Sequence, residues 1–299
     1  MSNLNNPLSD KQKKWLSGSI EEYSSSEKIS SPKLKKMLSN IDLNIVTRIA
    51  NRHLAKAQVK KEQSTHAFDF KQISVADDNL QLVKMSREMG PVMFEMTTGN
   101  IYFNPRHFFR LMHKIIKHIP EKEKDTMLQA LTILSLFHEV VHKMSLNWHP
   151  EGEDKIQMHS GMEKRTLTLN EHGHAVDQKH NFLEMLDEVV ARKLELDMSL
   201  EYLQNASIAG VSEQSLRDAH QIVLDAGGRT QGQRTLNDFV RKLAEKADLP
   251  EDVVWAGFKE AFFTNRDIEG IKKDMEKFTG VDIVSEMQFQ DLMNSLGFE

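Results

Sequence analysis

The chain contains no cysteine among its 299 residues, and this absence limits the chemistry open to it. Disulfide bonds, thiolate metal ligands and a cysteine nucleophile are all excluded. Any metal site must therefore be built from histidine and carboxylate side chains. The absence also fits a reducing cytoplasm, where disulfides are uncommon.

Basic charge and long apolar runs are scarce as well. The formal net charge is −5, whereas a general nucleic-acid binder normally carries a basic surplus. The longest apolar stretches, such as Leu131 to Phe137, are too short to span a bilayer. The polar N-terminus has no apolar run typical of a signal peptide. We therefore expect a cytoplasmic protein with neither a nucleic-acid nor a membrane partner.

Three regions follow from the distribution of residue types. Residues 1–40 are rich in serine and lysine, which predicts a solvated arm. Residues 41–205 mix helical and β patterns, and residues 206–299 alternate helical segments with short breaks at glycine and proline. The sequence thus predicts an α+β domain followed by a helical C-terminal region. Sparse aromatic residues (7%) and frequent methionine (16 residues) favour helix-on-helix packing.

Hydrophobic periodicity locates the elements of the middle region. Apolar spacing typical of a helix predicts four helices, at 41–58, 106–118, 121–144 and 182–203. Residues 91–96 and 101–103 flank Thr-Thr-Gly-Asn, which predicts a β-hairpin. A further strand is predicted at 165–169, after a loop rich in His, Gly and Pro.

The predicted helix 121–144 carries the motif His138-Glu139-Val-Val-His142. Residues four apart lie on one face of an α-helix, so both imidazoles can bind one tetrahedral zinc ion. Glu139 then lies beside the metal, where its carboxylate can take a proton from bound water. Apolar residues on the remaining helix surface predict that this helix is buried.

The third ligand is expected on helix 182–203, where Glu184 and Glu188 are four residues apart. In order, the hairpin, HExxH helix, loop, strand and glutamate helix resemble the gluzincin-type zinc metallopeptidases. Leu186-Asp-Glu188-Val-Val-Ala191 is similar to the (Asn/Asp)-Glu-x-x-(Thr/Ala) arrangement around the third ligand of that group. The resemblance implies a zincin-like catalytic domain in which His138, His142 and Glu188 hold zinc. Glu184 is the second choice for the third ligand.

The same resemblance implies a zinc-dependent endopeptidase in which Glu139 is the general base and a peptide or protein is the substrate. Thermolysin-like members have an acid four residues after the third ligand, where this chain has Arg192. The carboxylate that supports a zinc-bound histidine is therefore expected from Glu184 or Asp187. The strand at 100–104 is expected at the sheet edge, where it either pairs with extended substrate or only completes the sheet. Candidate donors for the transition state are Tyr202, His149, His172, His174 and His180.

Two other functions remain open at the level of sequence. One is a zinc-binding protein on a zincin scaffold that acts as a non-catalytic binding or regulatory module. The other is a helical interaction protein in which the HExxH arises by chance. Metal content separates the chance motif from the other two, and replacement of Glu139 separates an enzyme from a scaffold.

Overall fold

A computed structural model describes residues 32–56, 73–75, 92–94, 101–145, 147–151, 155–161, 163–169, 175–180 and 184–264, together with the single positions 270, 273, 276, 277 and 280. Helices account for most of these residues. They are α1 (Pro32–Ser39), α2 (Leu43–Lys56), α3 (Pro105–Ile115), α4 (Glu121–Ser145), α5 (Glu184–Asn205), α6 (Glu213–Ala226), α7 (Thr230–Ala247) and α8 (Glu251–Phe263).

Two small sheets accompany the helices. The first contains β1 (Ile73–Val75), β2 (Val92–Phe94) and β3 (Ile101–Phe103), in the order β1-β3-β2. The second is an antiparallel meander of β4 (Asn147–Pro150), β5 (Lys155–Ser160), β6 (Glu163–Leu169) and β7 (Ala175–His180). The meander occupies the chain between α4 and α5, and each of its strands pairs with its neighbour in sequence.

The predicted α+β zincin-like fold with a small edge-hairpin sheet is wrong, because the described chain is mostly helical. Helix α4 packs mainly against α5 and α6, and it also contacts α1, α2 and α8. Its side chains are buried almost continuously from Met127 to Ser145. A helix that is apolar around most of its circumference needs neighbours on several sides. Other helices supply most of those neighbours, so α4 is enclosed in a bundle.

The strand expected at 100–104 is not an edge strand, which agrees with the alternative in which it only completes the sheet. Strand β3 pairs with β1 in parallel and with β2 in antiparallel orientation, so it is the central strand of its sheet. A central strand has both rows of backbone hydrogen-bonding groups engaged by its neighbours. Within the first sheet, only β1 and β2 present an edge to further pairing.

Local sequence explains where the helices that form the site begin and end. Pro120 directly precedes α4. The negative side chains of Glu121 and Glu123 in its first turn interact favourably with the positive end of the helix dipole. Ser212 caps α6 through a reciprocal pair of hydrogen bonds with Ser215. Helix α6 ends before Gly227-Gly228, where a φ of +67° at Gly228 reverses the chain into α7.

A single hydrophobic core joins the N-terminal and C-terminal helices. The last residues of the predicted polar arm form α1, whose Leu34 and Met37 are buried in this core. Residues 1–31 of that arm lie outside the described residues. Within the described ranges, no helix is both long enough and apolar enough to cross a membrane.

Candidate metal centre

Helix α4 places His138 and His142 on one face, as the four-residue spacing predicts. Their Nε2 atoms lie 3.1 Å apart, and both rings are largely enclosed by the bundle. Two nitrogens at about 2.0–2.1 Å from a tetrahedral zinc ion are separated by about 3.3 Å. The two imidazoles are therefore close to the spacing that one zinc ion requires.

Glu188 of α5 faces this histidine pair. Its Oε2 lies 3.9 Å from Nε2 of His138, and the ligand atoms of Glu188, His138 and His142 all lie within 4.8 Å of one another. Two nitrogens and one carboxylate oxygen form a donor set that zinc enzymes use, leaving a fourth position open. The residues present therefore fit a zinc ion, and they are the three that the resemblance implies as ligands.

The other nitrogen of His138 faces a buried carboxylate. Nδ1 of His138 lies 3.1 Å from Oε2 of Glu195, and the Glu195 side chain is fully buried. A carboxylate in this position fixes the ring and favours the tautomer whose Nε2 lone pair faces the metal. The structure thus has Glu195 beside the histidine, where the sequence predicts Glu184 or Asp187. Asp187 is buried beside Gly161, and the Glu184 side chain lies outside the described part of the structure.

Two arginines hold the carboxylates in place. Arg192 donates from Nε to Oε1 of Glu188 at 2.9 Å and from Nη1 to Oε2 of Glu195 at 2.7 Å. Arg229, at the start of α7, brings its Nε to 3.3 Å from the same Oε1 of Glu188. Because both guanidinium groups engage Oε1, Oε2 is the oxygen left facing the histidines. The geometry therefore favours a Glu188 that binds metal through one oxygen.

The ionisation of these groups suits metal binding. Burial, with a smaller contribution from the neighbouring His138, lowers the pKa of His142 to about 3, so that its ring is neutral at pH 7. Burial by itself would raise the pKa of Glu188, but His138, Arg192 and Arg229 together lower it well below its usual range. A neutral imidazole and an ionised carboxylate are the forms that bind zinc.

Glu139 behaves differently from the other carboxylates. Burial raises its pKa to about 7, although His138 and Arg192 oppose this shift. A group whose pKa lies near the working pH exchanges protons most effectively as a general base or acid. Its position directly after His138 on α4 places it beside the candidate metal ligands, as the motif predicts.

A cavity of about 270 Å³ opens beside the site. Its charged and imidazole lining residues are His138, Glu139, Arg192, Glu195 and Arg229. The remainder comes from helices α3, α4 and α6, strand β2 and the turn after α6. These residues are Val92, Leu111, Met112, Ile115, Leu134, Ser135, Val223, Ala226 and Gly227. Of the three clustered residues, His138 lines this cavity, together with Glu139 and with both charged and apolar side chains.

Among the predicted transition-state donors, only Tyr202 has a described side chain. Tyr202 is fully buried, and its hydroxyl accepts a hydrogen bond of 2.8 Å from the backbone N–H of Asp42. The Tyr202 hydroxyl therefore forms part of the contact between α5 and the residue that precedes α2. The side chains of His149 and His180, and all of His172 and His174, lie outside the described residues.

Sequence reasoning did not assign Glu195 or Arg229 to the site. One available signal was the spacing of Glu188, Arg192 and Glu195, which places three charged residues on one face of α5. Charges on the packed side of a helix are buried only when they are paired. Arg229 gave no comparable signal, because it reaches the site only through the packing of α6 and α7 against α5.

Comparison of the chain with models of protein families, with curated proteins and with solved structures finds no match.

Proposed function

We propose that this protein is a zinc-dependent peptidase in which His138, His142 and Glu188 hold the metal and Glu139 is the general base. The arrangement of the three ligand atoms within 4.8 Å, with Glu139 beside them, is the observation that supports it best. The proposal depends on the site and not on the fold, since the mostly helical architecture differs from that expected of gluzincins.

Zinc bound by such ligands supplies the Lewis acidity that activates water and polarises a carbonyl group. Glu139 accepts the proton of the attacking water and then delivers it to the nitrogen of the leaving amine. Glu195 keeps the His138 ring in position, because its buried carboxylate lies 3.1 Å from Nδ1 of that ring. Arg192 and Arg229 hold Glu188 so that one oxygen remains directed at the metal position.

The first test is metal content. Protein prepared without chelator should contain about one zinc per chain, and replacement of His138, His142 or Glu188 by Ala should remove most of it, because each change leaves an incomplete coordination shell. Elemental analysis of these variants and the wild type measures this directly. Wild-type protein without metal would reject the proposal and favour a chance HExxH.

The second test separates catalysis from binding. Glu139→Gln keeps the size and polarity of the side chain but cannot accept the proton, so hydrolysis of a peptide library should fall about 10²–10⁴-fold. Zinc should remain bound. Glu123→Gln is the matched control, since Glu123 lies on the exposed first turn of the same helix. Equal turnover in wild type and Glu139→Gln, with zinc in both, would exclude Glu139 as the base.

A further inference from the structure

One surface of helix α3 carries positive charge that no acid of the same segment balances. The chain has no Asp or Glu between Glu95 and Glu121, an interval that contains all of α3. Arg110 and Lys114 are exposed and four residues apart, so they lie on one face of the helix. Lys117 is exposed in the turn that follows. These three cations form the basic face of α3, in a chain whose formal net charge is −5.

The surroundings of these cations differ from those of exposed cations on other helices. On α6, Arg217 has Glu213 one helical turn away, and on α7, Lys242 has Asp238 at the same spacing. The basic face of α3 has no acid at any position of its own helix. Among the described residues, its three cations also take part in no ion pair with another element. Their charge is therefore available to a partner.

A different face of α3 lines the cavity beside the candidate metal centre. Leu111 and Ile115 contribute to that lining, together with His138 and Glu139 of α4. Both apolar residues are partly exposed, and each directly follows a cation of the basic face in sequence. The basic face and the cavity are thus adjacent surfaces of one helix, and a single extended peptide can contact both.

The extent of the basic face favours a short partner segment. Arg110 and Lys117 are seven residues apart, which corresponds to roughly 10 Å along a helix. An extended peptide covers that distance with about three residues. Nucleic acids are bound through many phosphate contacts, and the acidic net charge of this chain opposes their approach. An acidic peptide segment therefore matches the surface better than a nucleic acid does.

We infer that the basic face of α3 binds acidic residues of a peptide substrate whose neighbouring segment reaches the cavity. The inference rests on the proposed peptidase function and adds the substrate class, which is acidic peptides. A single exposed ion pair contributes little to binding, so the preference depends on several cations together. Reversal of two of these charges removes two attractions and adds two repulsions, and it should weaken binding at least about tenfold.

Binding to metal-free protein tests the surface without relying on activity. Fluorescence anisotropy of chelator-treated wild type compares a labelled peptide that has glutamate at every third position with the same peptide carrying glutamine there. The glutamate peptide should bind at least about tenfold more tightly. This advantage should shrink between about 0.1 M and about 1 M salt, because the screening length falls from about 10 Å to about 3 Å. Equal affinity for the two peptides at low salt would overturn the inference.

Two charge-reversal variants locate the binding surface. Arg110→Glu/Lys114→Glu should lose the preference for the glutamate peptide. Arg217→Glu/Lys242→Glu is the matched control, because it changes the net charge equally at exposed positions of α6 and α7. An equal loss in both variants would overturn the inference, since net charge would then explain the binding. Arg110→Gln/Lys114→Gln, which adds no repulsion, should show a smaller loss and carries the test if charge reversal disturbs folding.

Other polyanions test whether the partner is a peptide. A single-stranded oligothymidine and phosphatidylserine vesicles should bind the wild type no more tightly than the glutamate peptide does. Tighter binding of either one, lost in Arg110→Glu/Lys114→Glu, would overturn the inference and identify a nucleic acid or a membrane surface as the partner.

Hydrolysis distinguishes this inference from the proposed function. In zinc-loaded protein, Arg110→Glu/Lys114→Glu should raise KM for acidic peptides and leave kcat unchanged, because the contact is the same in the ground state and the transition state. Cleavage that does not depend on acidic residues overturns the inference and leaves the peptidase function in place. Specific binding of the glutamate peptide without hydrolysis of any peptide supports the basic face as a docking surface and overturns the peptidase function.

Discussion

Replacement of Glu195 tests whether the buried carboxylate acts on the metal through His138. Its Oε2 lies 3.1 Å from His138 Nδ1 and 2.7 Å from Arg192 Nη1. Glu195→Gln places a neutral carbonyl oxygen beside His138 Nδ1 and Arg192 Nη1, so an acceptor remains and the negative charge is lost. Glu195→Ala removes the acceptor altogether and leaves the His138 ring without its buried carboxylate.

The two replacements should weaken zinc binding by different amounts. Loss of a carboxylate that orients a metal-bound histidine typically lowers metal affinity by about 10–100-fold. We expect about tenfold for Glu195→Gln and about 100-fold for Glu195→Ala, which correspond to about 1.4 and 2.7 kcal/mol of binding free energy. Competition with a fluorescent zinc chelator measures the dissociation constant of each variant.

Glu201→Gln on the same helix provides a matched control. Glu201 also contacts a histidine, since its Oε2 lies 3.0 Å from Nε2 of His53, but His53 is not one of the three clustered side chains that could hold a metal. This variant should bind zinc as the wild type does, whatever it loses in stability. Wild-type zinc affinity in Glu195→Ala, or an equal loss in Glu201→Gln, would refute the role given to Glu195.

Two further predictions concern stability. Arg192→Met removes the shared partner of the Glu188 and Glu195 carboxylates, so it should lower the free energy of unfolding in chelator by about 3–5 kcal/mol, measured by urea denaturation. The same change at the exposed Arg217 should cost little. Equal urea midpoints for the two variants would contradict the ion-pair network. Gly161→Ala forces a side chain into a backbone with a φ of +61°, which alone costs about 1–2 kcal/mol. The new Cβ would also overlap Asp187 and Phe262, so a thermal midpoint equal to that of the wild type would show that the turn after β5 is placed differently.

The two helices that form the site were predictable because their apolar periodicity is long and continuous. The sequence predicts helices at 121–144 and 182–203, and the structure has Glu121–Ser145 and Glu184–Asn205. The positions of His138 and His142 on one face follow from their spacing, whereas Glu188 was implied by the resemblance, with Glu184 as the second choice. The distance between the helices does not follow from spacing, and the closeness of Glu188 to His138 became visible only in the structure.

The architecture around the site was predicted less well. The composition of the segment after α4, rich in His, Gly and Pro, predicts a loop, but the segment contains β4 and β5. Strands this short have little periodicity to detect. The zincin-like fold followed from the order of motifs, and that order does not specify that α6 and other helices enclose α4. Arg229 illustrates the same limit, since its contact with Glu188 joins positions far apart in sequence.

The position of Arg229 has a consequence for the order in which the site is assembled on the ribosome. The histidines of α4 leave the ribosome first, and Arg229 follows roughly 90 residues later, which takes about 5–20 seconds at ordinary rates of synthesis. Over the roughly 40 residues between Glu188 and Arg229, Arg192 is the guanidinium partner of Glu188 among the described residues. A nascent chain therefore carries every candidate ligand before it carries all the charges that hold them, and the site reaches its final electrostatic balance only when α7 begins to form.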